Sequence, residues 1–364
     1  MSGAAAGDGG SQAAALMAVL DLEERDTDLY VGRTPRTPLQ RIFGGQVAGQ
    51  ALMAASRTLP GERAVHSLHA YFLRPGDPHE EIRYAVERIR DGRTFSSRRV
   101  VGRQRRRGED VAIFALTADA SVPEAPVVEH ALPIPEVPAP ETLPSLPEVV
   151  APYGERAAVA LAISEAVEQR LLEDPFARMP KTPPDTRTCV WMRVAGRLPE
   201  DANVHRSALT FVSDLTLLSA GPARMGGGWG GEYVGASLDH AVWFHTPVRA
   251  DEWFLYQTDS PAAGRCAWAR YGPPTARTWP RSPSRASSGP CGADSGAGAP
   301  GPGVGLAIVR DDAVSLGAGG VGLGVRCGFR HRQVLLGAGL AGRLVLRGRR
   351  LHRSRLGLRT GGLL

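Results

Sequence analysis

Between residues 45 and 59 the apolar positions Val47, Ala51, Leu52 and Ala55 recur at helical spacing, and Pro60-Gly61 ends the run, which predicts a helix over Gly45–Leu59. Its Ala and Gly content lets another surface approach closely. Four stretches then read as strands, Ala64–Leu73, Glu81–Arg90, Thr94–Arg103 and Asp110–Ala118. They are parted by Pro75-Gly76-Asp77, Asp91-Gly92 and Arg107-Gly108, all turn chemistry. One helix followed by an antiparallel meander is an α+β unit. Ahead of it, residues 1–12 are rich in Gly, Ala and Ser and expected to fray, and Ala13–Leu22 reads as a short helix.

The pattern then starts again. Prolines recur every few residues from Val122 onward, which is linker composition. Beyond a helical segment over Glu155–Glu173, a strand at Thr188–Val194 leads to a helix over Ala202–Ser219, with Val204, Ala208, Phe211, Leu215 and Leu218 on one stripe. Strands at Glu232–Phe244 and Glu252–Thr258 follow. Ser67–Phe72 matches Ser237–Phe244 with a two-residue insertion, Pro75 answers to Pro247, and Asp91-Gly92-Arg93 to Ala263-Gly264-Arg265, so the chain is a duplicated helix-plus-sheet unit. The first copy goes on to two more strands. In the second they are expected to be missing, replaced by an Arg/Gly/Pro/Ser stretch. The expected organisation is a first domain over 1–121, a Pro-rich linker over 122–154, an incomplete second domain over 155–265 and an out-of-frame or disordered tail over 266–364.

Charge sharpens that last boundary. The 364 residues carry 43 basic and 37 acidic side chains, a net of +6. From Arg265 to Leu364 there are 16 arginines, no lysine and only Asp294, Asp311 and Asp312 as acids, a net of +13; the preceding residues hold 27 basic and 34 acidic groups, a net of −7. The basic pI is an average over two unlike polymers, and charge alone, without aromatic interleaving, gives no reason to expect a nucleic-acid partner. Cys189, Cys266, Cys291 and Cys327 show no paired C-x-x-C spacing, which argues against zinc or a disulfide framework and for a reducing compartment, the cytoplasm. No run of about 18 apolar residues predicts a membrane span. The charge order around Ala13–Leu22 is the reverse of a signal peptide's.

Asp214 is the first candidate for chemistry. It lies three residues after Phe211 and four before Leu218, beside the apolar stripe, where a carboxylate is costly unless hydrogen-bonded or working. A structural carboxylate satisfied by backbone groups fits the same pattern. Gly235–Asp239 misses the G-x-S-x-G elbow at its last position, so a triad of Ser237, His240 and Asp214 has only part of its motif. Gly226–Gly231, GGGWGG, joins a helix to a strand, opposite to a dinucleotide fold, and reads as a loop. Arg103–Arg107, RQRRR, reads as a solvated hairpin tip.

Four segments together carry a resemblance: Arg41–Ala51 (RIFGGQVAGQA), Val65–Asp77 (VHSLHAYFLRPGD), Phe211–Leu215 (FVSDL) and Ala236–His245 (ASLDHAVWFH). Over about residues 20–264 the chain resembles the type II acyl-CoA thioesterases, tandem (double) hotdog proteins in which each antiparallel sheet wraps around a helix. The resemblance implies hydrolysis of acyl-CoA to free fatty acid and CoA by an activated water, with no cofactor, in a homo-oligomer. Carried over by motif, the family's Asp falls on Asp214 and its hydroxyl on Ser237. The family's third partner, a Gln on a V-Q-E-G strand near the end of the second unit, has no counterpart here. Permitted codons for Ala269–Ser282, read from their third bases, allow T-V-W-T-A-D-G-Q-D-L-A-A-V, a strand, a turn and a strand, which favours a shifted frame over a genuine appendage. On this reading the chain itself has little or no activity. The alternatives are a non-catalytic acyl-CoA-binding protein and a serine hydrolase using Ser237.

Overall fold

The computed structural model describes residues 9–35, 37–124, 134–176, 188–219, 233–234, 236–262, 266–272, 323–327 and 330–331. Helix α1 (Gly9–Leu20) leads into a small hairpin, β1 (Glu23–Asp26) and β2 (Leu29–Gly32), then helix α2 (Gly44–Arg57) and the meander β3 (Ala64–Phe72), β4 (Ile82–Asp91), β5 (Phe95–Arg106) and β6 (Glu109–Ser121). After the connecting helices α3 (Leu146–Val150) and α4 (Ala158–Ile163), the second unit runs β7 (Glu168–Leu171), β8 (Thr188–Arg193), α5 (Ala202–Ser213), β9 (Tyr233–Val234), β10 (Ser237–Trp243) and β11 (Phe254–Ala262). The helix expected over 155–173 is therefore a short helix followed by a strand, and the one expected to reach Ser219 ends at Ser213. Sequence reading missed β1 altogether, because all four of its residues are exposed and carry no apolar alternation.

The sheets of the two units join into one continuous antiparallel sheet of twelve strands, which takes in β12 (Cys266–Gly272) and β13 (Leu323–Cys327), in the order β1-β2-β4-β5-β6-β3-β10-β13-β12-β11-β8-β7. The duplicated segments are the strands that join it: β3 pairs with β10 through Leu68↔Val242, His69↔Ala241 and Ala70↔His240. Strand β12 pairs along β11, and β13 fills the space between β12 and β10. Open edges on β11 and β10 present rows of unpaired N–H and C=O groups that an extended chain can satisfy through its backbone. The two strands do not form the hairpin of the first unit, since residues 273–322, outside the described residues, come between them. β14 (Arg330–His331) pairs with β9 as a separate two-stranded ribbon. GGGWGG also lies outside the described residues.

Helix α2 lies deep in the described core. Every residue from Gly45 to Ala55 is buried, so α2 has no solvent face and needs small side chains all round. Its two glutamines are satisfied by neighbouring elements: Gln46 Nε2 donates to Thr34 Oγ1 (3.0 Å), and Gln50 Nε2 donates to the Val19 carbonyl (2.6 Å) while its Oε1 accepts from Tyr84 (2.8 Å). Against α2 lies α5, and the contact is backbone-close. A Cβ on Gly45 would come within 2.3 Å of the Phe211 carbonyl oxygen, and one on Gly49 within 3.1 Å of the Ser207 carbonyl oxygen. The β5–β6 turn at Arg107-Gly108 has φ of 50° and 86°, the paired positive values of a tight hairpin.

Candidate active site

Helix α2 begins without a side-chain cap of its own, since Phe43 in the N-cap position offers none. The first amides of a helix have no intrahelical partner, and their positive end attracts an anion. The anion comes from the other unit. Asp214, the C-cap of α5, turns its carboxyl toward this end of α2 and accepts from the Gly45 N–H. A Cβ on Gly44 would sit 2.5 Å from Asp214 Oδ2, so the glycine pair in RIFGG makes room for the carboxyl. From β10, Ser237 Oγ donates to Asp214 Oδ1 at 2.9 Å. The two residues singled out from sequence are thus brought into direct contact, 23 positions apart in the chain.

The carboxyl is buried, with the residue 7% exposed. Burial pushes its pKa up from 3.8 to about 7, against the downward pull of the Ser237 hydroxyl, the Gly45 amide and the positive charge of Arg41. Asp214 therefore stands near the midpoint of its titration at neutral pH, where a general base works best. One side of the space is apolar: Phe72 closes on Gly44, with a ring carbon 2.9 Å from where its Cβ would be, and Phe43 meets Phe211 edge to face at 5.2 Å. Phe43 and Phe72 are only half-buried, so this wall is open to an apolar ligand.

The serine-hydrolase arrangement does not exist here. His240 is buried with Nε2 2.6 Å from Ser213 Oγ, while Ser237 goes straight to Asp214. Tyr256, from β11, donates to the Ser213 carbonyl at 2.6 Å. Sequence reasoning found neither partner of Ser213, nor the Gly45 amide and the Arg41 charge at Asp214. Only the glycine pair in RIFGG carried a readable signal, that of a close approach. A separate polar indentation, bounded by Gly196, Arg197, Arg249, Asp251 and Glu252, lies near His205 on α5, about 13 Å along the helix from Asp214. Arg249 is neutralised there by Glu200, Asp251 and Glu252.

Comparison with known proteins follows the same two units. The family profile of the acyl-CoA thioesterase N-terminal domain matches residues 33–121, and the acyl-CoA thioesterase profile matches residues 177–270. Acyl-coenzyme A thioesterase 8 of Homo sapiens is 33% identical over 258 residues, covering 68% of this chain and 79% of that one. The chain belongs to the acyl-CoA thioesterase family. An acyl-CoA thioesterase II, TesB2, from Mycobacterium marinum superposes with a TM-score of 0.58 at 29% identity, over 87% of this chain and 99% of that one. A protein from Alicyclobacillus acidocaldarius described as having a hot dog fold superposes with a TM-score of 0.59 at 13% identity, over 87% and 98% of the two chains, and shares the fold alone. The thioesterase match runs to residue 270, past the boundary expected at 265 and into β12. Among the described residues no helix is long and apolar enough to cross a membrane.

Proposed function

We propose that the chain hydrolyses acyl-CoA thioesters to free fatty acid and CoA, with Asp214 as the general base and Ser237 as the group that positions the attacking water. The observation that carries this reading is the buried Asp214 carboxyl held by Ser237 at the N-terminus of α2, where burial pushes its pKa up to about 7. Water gives a proton to Asp214 as its oxygen adds to the thioester carbonyl carbon. The other first-turn amides of α2 stabilise the oxyanion. Collapse of the tetrahedral intermediate breaks the C–S bond, and the CoA thiolate takes the proton back from Asp214. The half-buried Phe43 and Phe72 offer a surface for the acyl chain.

The third family partner has no identified counterpart, so turnover is expected to be slight. The cysteines, with no paired C-x-x-C spacing, support a reducing compartment such as the cytoplasm, and exposed Tyr71 and Leu73 support assembly with copies of the same chain. The test is thiol release from acyl-CoA beside equilibrium binding, in the parent and in Asp214→Asn. Loss of hydrolysis with binding retained is expected. Equal rates in parent and variant would refute the assignment of the base, and a parent that binds acyl-CoA without ever cleaving it would be a binding protein.

A further inference from the structure

We propose that His240 is a positioning residue, fixing the end of α5 through Ser213 and so holding the Asp214 carboxyl in its dry site against Ser237. The proposal rests on Asp214 being the base. Strand β10 carries both Ser237 and His240, and the two grip consecutive residues of α5: Ser237 Oγ reaches Asp214 Oδ1 at 2.9 Å, and His240 Nε2 lies 2.6 Å from Ser213 Oγ. Ser213 has a single hydroxyl proton, and it goes to the Thr210 carbonyl at 2.7 Å. The ring must therefore donate, as the Nε2–H tautomer, and Nδ1 is left as a buried acceptor without a partner.

An acceptor left bare in a core destabilises it, and an apolar side chain of the same size would be less costly to bury. What the imidazole contributes is the donor that pins the hydroxyl of Ser213, one residue before the base. Tyr256, on β11, holds the carbonyl of that same residue. Burial pushes the His240 pKa down to about 4, so the ring stays neutral through the working range and its tautomer is constant. Charged groups around the pair are Arg41 beside Asp214, and Asp239 and His69 near His240.

The test reads the titration of Asp214 directly, by 13C NMR of the full chain labelled at aspartate Cγ, with the resonance identified by its loss in Asp214→Asn. The parent should titrate near 7. His240→Gln keeps a donor at the Nε2 position and should titrate with the parent. His240→Phe keeps the bulk and loses the donor; the freed helix end lets water reach the carboxyl, and the titration should fall by about one pH unit or more. Should His240→Phe fail to fold, Tyr256→Phe removes the other hold on Ser213 and should shift Asp214 the same way. An unmoved titration in whichever of these two variants folds overturns the proposal, whatever happens to thermal stability, and so does a His240→Gln variant that shifts as far as His240→Phe. No substrate enters the measurement. A chain that hydrolyses nothing but shows these shifts therefore sinks the hydrolase reading and leaves the positioning role standing.

Discussion

Replacing Asp214 with Asn should remove hydrolysis and, at alkaline pH, make the protein more stable. A carboxyl held at about 7 in the folded chain and 3.8 when free binds its proton more tightly folded than unfolded. Its contribution is therefore fully present below about pH 4 and is lost as pH rises through 7. Roughly three pH units at about 1.4 kcal/mol each make the ionised carboxylate cost the fold about 4 kcal/mol at pH 8. Asparagine carries no charge but has one acceptor oxygen for the two donors, Ser237 Oγ and the Gly45 N–H. Losing one of those bonds takes back about 1–1.5 kcal/mol, which leaves a net gain of roughly 2–3 kcal/mol. At pH 5 the parent's carboxyl is already protonated in the folded state, and most of that gain should vanish. Urea unfolding of parent and variant at pH 8 and pH 5 measures both values, and every other titrating group cancels in the comparison. A variant that is less stable at pH 8, or whose gain is the same at both pH values, would refute the account of a desolvated base.

Ser237→Ala should cut hydrolysis on the order of a hundredfold, the scale for one positioning group; because the lost hydrogen bond was lowering the Asp214 pKa, the acidic limb of the rate profile should also move to higher pH. Gly45→Ala puts a methyl 2.3 Å from the Phe211 carbonyl oxygen and should destabilise by about 1–3 kcal/mol in thermal or urea unfolding, whereas Gly44→Ala meets only the movable Asp214 carboxylate and Phe72 ring and should lose activity first. A serine-directed phosphonate probe should leave Ser237 unlabelled by mass spectrometry, since the imidazole needed to activate it is engaged with Ser213. Re-setting the reading frame after Arg265, so that a Gln-bearing strand is restored, should raise turnover in the thiol-release assay; equal rates in the two chains would remove the missing Gln as the reason for weak activity.

What could be read in advance was whatever is local. The small-residue helix, the meander with its turn dipeptides, and a carboxylate beside an apolar stripe are properties of single segments, and the structure has α2, β3–β6 and Asp214 in those roles. Joining is not local. Nothing in Ser67–Phe72 or Ser237–Phe244 says that the two copies pair with each other, because a strand with apolar and polar positions alternating fits any edge with a matching face. Where the second sheet ends is not local either: backbone pairing at an open edge asks little of side chains, and Cys266–Gly272 can meet it. The site was half legible. Asp214 and Ser237 carry their chemistry in their side chains, but the Gly45 amide has none to read, and the role of His240 depends on where the end of α5 falls.

The duplication explains why one site of this kind is found among the described residues where symmetry would allow two. In a paired unit the C-terminus of each helix could reach the N-terminus of the other, and the two ends have diverged. At one crossing α2 lacks its own cap, and Asp214 from α5 supplies the acceptor. At the other, α5 is capped by its own Asp201, which accepts from Asn203 N at 2.8 Å, and Asn203 spends its side chain on the Arg63 carbonyl and the Val65 N–H. The residue in the place of Asp214, at the C-cap of α2, is Thr58, and it is sealed by the buried Arg98, whose Nε donates to Thr58 Oγ1 at 2.7 Å and whose Nη2 reaches the Thr58 carbonyl at 2.9 Å. Arg98 is anchored in turn by Asp91. A threonine cannot serve as a base, and this one is buried with its hydroxyl engaged by the Arg98 guanidinium and the Ala55 carbonyl. One crossing has become a hydrogen-bonded joint in which Asn203 ties α5 to the start of β3, which leaves the other free to keep a carboxylate that destabilises the fold at the pH where it would work.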